Sequence, residues 1–140
     1  MTPREQFSWA WLTILGLTYI PYFSAVAWLR EFGAPSFTTQ IILFAATTII
    51  QVGCIAVASA VIGLRAGDPN ILDERDRAIA HRAGAVAYTV LMVGVILVGC
   101  LMPFNHAGWD IFHATVLVIA ATEAVRLILV IQAYRRGLHG

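Results

Sequence analysis

The chain has 140 residues, of which 59% are hydrophobic and 12% charged, with a mean hydropathy of +0.78. A soluble domain carries about 25% charged residues, and a core of this size cannot hide so much apolar surface from water. One all-α domain embedded in a bilayer is the expectation, and a net charge of +1 leaves no footprint for direct nucleic-acid binding.

A helix needs about 20 mainly apolar residues to cross the hydrocarbon layer. The first segment that qualifies runs approximately 8–29. Pro21 lies near its middle, where the missing N–H frees a carbonyl and kinks the helix. Thr18 and Tyr22 share a face there, with Tyr19 beside them, so the region is read as tolerated packing or as one wall of a small polar cavity. The segment has a rival reading as a secretory signal. Arg4, the apolar stretch 7–20, Pro21 and "SAVA" (24–27) resemble a leader with an A-x-A-like cleavage site. The weakly charged start and the rings of Trp9, Trp11, Tyr19 and Tyr22 favour a retained span.

A tight connection at 30–39 leads to the second span, approximately 40–64. Thr47, Thr48 and Gln51 are placed to offer a facing wall through interhelical hydrogen bonds. Gly53, Ala56, Ser59, Ala60 and Gly63 follow, and Gly84, Ala87, Gly94 and Gly99 recur in the third span. Ala56/Ala60 and Ser59/Gly63 are small-xxx-small pairs that let helix backbones approach closely, either inside one chain or across a homodimer seam. Cys54 and Cys100 sit singly in apolar runs and are expected as plain buried thiols.

The polar connection 65–83 is the longest one. Asp68 followed by Pro69 has the form of an N-cap with proline at the first helical position. Beyond it the acids come early (Asp73, Glu74, Asp76) and the bases late (Arg77, His81, Arg82), which suits a helix dipole. Asp73/Arg77 and Glu74/Arg77 are spaced to pair along a helix, while Ile71, Leu72, Ala78 and Ile79 give it an apolar side. The pattern predicts an amphipathic helix lying on the membrane surface before it turns down into the third span. It serves either as a topology determinant or as a docking surface built on Asp73, Glu74, Arg75, Asp76, Arg77 and Arg82.

"DERDRAIAHRAGAVAYTVL" (73–91) resembles the signature of small bacterial and archaeal membrane proteins in a domain-of-unknown-function family. The matching positions are Asp73, Glu74, Arg75, Asp76, Arg82, Ala83, Gly84, Ala87 and Tyr88, within 19 of the 140 residues. The resemblance implies a four-helix membrane protein without assigned catalytic residues. Some similar proteins look like companions of small helix-turn-helix regulators, which implies a regulatory role.

The third and fourth spans run approximately 84–103 and 109–132, joined by 104–108. His106, Asp110 and His113 fall at i, i+4 and i+7, a weak candidate set for zinc or copper. Gly108 weakens the helix start, so no metal is assigned. A haem would need two histidines at matched depth, and His81 lies at the opposite end from the other two; no cofactor is expected. Glu123 and Arg126 stand three residues apart in the fourth span. Glu123 falls near mid-depth, and Arg126 is about one turn nearer the inner surface, where its stem can snorkel. Ions at that depth usually face the protein interior. The pair is read as a structural clasp or, with Tyr22, Thr18 and Gln51, as an intramembrane polar site.

All nine basic residues are arginine. With both termini inside, seven of them (Arg4, Arg65, Arg75, Arg77, Arg82, Arg135, Arg136) face the cytoplasm and only Arg30 faces out. Trp9, Trp11, Tyr88 and Tyr134 then form the inner aromatic belt, and Trp28, Phe32, Phe104, Trp109 and Phe112 the outer one. No nucleophile–base set or phosphate loop is present, so an enzyme is not expected. The leading expectation is a sensory or regulatory protein of the inner membrane, with a cytoplasmic partner on 65–83. The alternative is a small proton-coupled transporter using Glu123. Small multidrug exporters also have four short helices and a membrane carboxylate, but carry it in the first helix, where this chain has none.

Overall fold

Each of the four apolar segments folds as one long helix that stops where its sequence changes. The computed structural model describes residues 3–33, 35–66, 74–104 and 106–136. Its helices are α1 (Pro3–Glu31), α2 (Phe37–Ala66), α3 (Glu74–Ile96) and α4 (Gly108–Arg136), with no strand among the described residues. At about 1.5 Å per residue, each helix together with its extension is long enough for a hydrocarbon layer of roughly 30 Å. All four qualify as spans by length and hydropathy. Large apolar side chains remain bare along them, with Leu64 at 87% and Phe104 at 81% exposure. A water-soluble monomer does not tolerate apolar surface on this scale. The chain is a multi-pass membrane protein.

The chain divides into two compact units, Met1–Asp68 and Pro69–Gly140, each an antiparallel helical hairpin. In the first, α1 begins with Pro3 and has Glu5 in its first turn, where a carboxylate meets the positive end of the helix dipole. Two residues past its end stands Gly33, whose φ of 119° is open to glycine and strained for other residues. Ser36 caps α2: its Oγ accepts the Thr39 N–H at 3.2 Å and pairs with the Thr39 hydroxyl at 2.8 Å. Gln40 Nε2 closes the turn by donating to the Pro35 carbonyl at 2.9 Å. This cap starts α2 before the expected position 40. Leu15, Tyr22 and Val26 are buried, as are Glu5 and Ser8 near the N-terminal end.

In the second hairpin α3 runs unbroken from Glu74 through Gly84 to Ile96. The expected turn from a surface helix into the span is therefore not formed. A glycine inside a helix costs only about 1 kcal/mol relative to alanine. The Asp68–Pro69 cap and the apolar positions Ile71 and Leu72 lie outside the described residues. Ahead of Pro103 the helix widens into a π-helical turn, Leu97–Leu101, followed by a 3-10 turn, Met102–Phe104. Proline cannot donate to the helical ladder and crowds the carbonyl four residues back, which accounts for this irregular ending. Chain reversal is completed by His106 N–H donating to the Met102 carbonyl at 3.0 Å, and by Ala107 accepting from Asp110 and Ile111 as α4 starts.

The close approach in this hairpin falls at Gly94. A methyl group there would overlap the Val118 side chain of α4. The small residues of α2 have a different setting: Ala56, Ser59, Ala60 and Gly63 are exposed. Both cysteines are free thiols and, against the expectation of burial, both are exposed. Each is surrounded by apolar residues of its own span, so exposure here is compatible with a lipid-facing position.

Candidate functional site

Glu123 and Arg126 form the pair that their spacing predicts. Arg126 donates from Nη2 to Glu123 Oε1 at 2.5 Å and from Nε to Oε2 at 3.1 Å, a two-pronged fork. Glu123 lies one residue from the midpoint of Gly108–Arg136, well inside the hydrocarbon layer. The carboxylate is 25% exposed and the guanidinium side chain 43%. This pair is an ionic patch on the side of a span.

Tyr22, Thr18 and Gln51 belong to the first hairpin and are engaged differently from the sequence expectation. Thr18 Oγ1 donates back to its own helix, to Ile14 O at 2.8 Å and Leu15 O at 3.2 Å. Thr47 and Thr48 do the same, toward Leu43 O and Phe44 O. In an apolar setting this is the nearest available acceptor, so these hydroxyls do not bridge between helices. Gln51 lies near the Tyr19 phenol of α1. Tyr22, only 2% exposed, sits against Phe23 at 5.1 Å and Phe44 at 6.3 Å between ring centroids. Rings therefore pack beside Pro21, in keeping with the tolerated-packing reading rather than the polar-cavity one, and α1 accommodates the proline within its length.

The charged segment contains a contact that the sequence did not reveal. Tyr134, near the end of α4, donates its hydroxyl to Asp76 Oδ1 at 2.5 Å, across 58 residues of chain. Tyr134 is buried. The bond ties the beginning of α3 to the end of α4 at the open end of the hairpin. A hydrogen bond to a charged acceptor contributes about 1.5–3 kcal/mol. Tyr134→Phe should therefore lower the thermal midpoint of the detergent-solubilised protein while leaving the helical circular dichroism intact; an unchanged midpoint would show the clasp to be energetically idle. Arg77, His81 and Arg82 are exposed on the same helix. Asp73 and the side chains of Glu74 and Arg75 lie outside the described residues, and so do their expected pairings with Arg77.

His106 is in the bend before α4, Asp110 is in its first turn and His113 is buried. His113 packs by its ring against Trp109 at 6.1 Å and Phe112 at 5.5 Å. No group of three metal-ligating side chains is gathered among the described residues. Comparison with protein-family models, curated proteins and solved structures finds no match.

Proposed function

We propose that this is a non-enzymatic sensory or regulatory protein of the inner membrane, with both termini cytoplasmic and a cytoplasmic protein partner docking on the start of α3. The observation that carries this reading is the continuity of α3. Exposed Arg77, His81 and Arg82 stand on the same unbroken helix that enters the bilayer, and Asp76 couples that helix to α4 through Tyr134. A partner that moves the charged end moves a rigid element with it, which is a physical route for a signal between membrane and cytoplasm. The likeness of 73–91 to proteins that accompany small helix-turn-helix regulators supports the same reading.

The orientation follows from arginine placement. Each hairpin has its arginines at its open end, with only Arg30 at a turn and Arg126 within a span. Reporters placed after Gly140 and near Gly67 should both report cytoplasm, and one near Ala34 the outside. An external signal at Gly67 would overturn this topology.

The partner is tested by affinity capture from native membranes in mild detergent, followed by mass spectrometry. Reversing Asp73 and Glu74 to Lys together with Arg77 and Arg82 to Glu, while leaving the Asp76 clasp intact, should keep the protein inserted and abolish capture. Unchanged capture would reduce the segment to a topology determinant.

A second reading, proton-coupled transport, rests on the partial exposure of Glu123 at mid-depth. It requires a pH-dependent flux in vesicles that Glu123→Gln eliminates.

A further inference from the structure

Within the second hairpin, α3 is held to α4 at two places and loosens at a third. At the open end Tyr134 donates to Asp76. Further along, at Gly94, the two helices come so close that a methyl group would overlap Val118. Beyond that point the regular ladder gives way to the π-helical turn Leu97–Leu101 and the 3-10 turn Met102–Phe104. We infer that α3 is a latched lever. The Asp76–Tyr134 bond holds its open end against α4, Gly94 is the pivot, and the π-helical turn is the joint that yields when the bond is released.

Backbone chemistry and packing both make the joint soft. Pro103 has no N–H to give the carbonyl four residues back, that of Gly99, so the α-helical ladder lacks a rung there. A 3-10 turn has poorer hydrogen-bond geometry than an α-helix, and π-turns are places where helices kink. Beside the joint, between α3 and α4, lies an apolar cavity of about 290 Å³. It is lined by Val98 and Gly99 and, across from them, by Ile111, Thr115 and Ile119. The side chains of α4 therefore do not clamp this part of α3, which has room to shift.

The latch is a single directed bond at the far end of a stiff rod, since Glu74 to Ile96 is unbroken α-helix. At about 1.5 Å per residue, Asp76 stands about 27 Å from Gly94, and the middle of the π-turn about 7.5 Å beyond it. A displacement of about 1 Å at the joint is thus magnified to roughly 3–4 Å at Asp76, enough to make or break the bond. Loss of a hydrogen bond to a charged acceptor shifts such an equilibrium by roughly 10- to 100-fold. The lever concerns how the hairpin moves and not what docks on it, so it is independent of the partner reading.

The test uses the full chain in lipid nanodiscs, with Cys54 and Cys100 replaced by Ala and nitroxide labels on introduced cysteines. One pair, Ala80→Cys with Gln132→Cys, reports the open end; another, Val93→Cys with Leu117→Cys, reports the level of the pivot. All four positions are exposed. Electron paramagnetic resonance should give one narrow distance at each pair in the parent protein. Tyr134→Phe should add a longer distance at the open end alone. Restoring the missing donor with Pro103→Ala should then shrink that added population. If Tyr134→Phe fails to insert, Asp76→Asn, which removes the charge of the acceptor, is read in its place. An unchanged distance at the open end, lengthening at both pairs, or an added population indifferent to Pro103→Ala would overturn the proposal.

Discussion

Glu123→Gln and Arg126→Leu should each lower the melting temperature substantially, and the double variant Glu123→Leu with Arg126→Leu should recover most of the loss. The fork holds two ions together in a medium of low dielectric. Removing one partner leaves the other uncompensated, which costs about 3–5 kcal/mol for a desolvated pair. Removing both eliminates the uncompensated charge, and leucine is at home in the hydrocarbon layer. The pattern across the three variants is the diagnostic, because simple loss of packing would make the double variant worst. Thermal unfolding in detergent, read by circular dichroism, measures it. A Glu123→Gln variant with wild-type stability and no pH-dependent response would contradict the structural role and favour the transport reading.

Gly94→Ala should destabilise the second hairpin, and Val118→Ala should restore it in the double variant. The alanine methyl would run into both branches of the Val118 side chain. Valine is stiff about its first torsion, so turning it cannot clear both branches. Overpacking of this kind typically costs about 1–3 kcal/mol. Gly99→Ala is the control, since a methyl there meets nothing within 4 Å. If Gly94→Ala and Gly99→Ala melt together, close approach of α3 and α4 at Gly94 is not what holds this hairpin.

The four spans were legible because the membrane imposes one dominant rule, a long apolar run, and each expected span lies inside an observed helix, the third inside α3 together with its π-helical and 3-10 extension. Their ends were less legible. Ser36 caps α2 ahead of the apolar run, and the turn expected between a surface helix and the third span is absent because α3 runs through it. The Glu123–Arg126 pair was readable because both ions belong to one helix face, where spacing alone sets the distance. Contacts between helices were not readable in the same way. Tyr134 and Asp76 meet only because α3 and α4 fold back on each other, and nothing local in either sequence marks the partner. Gln51 was placed toward α1 and lies near Tyr19, with Tyr22 turned into the ring cluster. The threonine hydroxyls were misread for a simple reason: the carbonyl four residues back is always available within the helix.

The distribution of arginine between open ends and turns also bears on how the chain enters a membrane. In the proposed orientation, only the two short reversals between paired helices must cross the bilayer during biosynthesis. The first carries Arg30 beside Glu31, close to electrically neutral, and the second, at 102–108, contains no arginine or acid at all. The polar connection between the hairpins never leaves the side of synthesis. Each hairpin therefore carries its own orientation signal and can be delivered as a pair of helices, so that insertion proceeds in two steps without translocating any block of like charge.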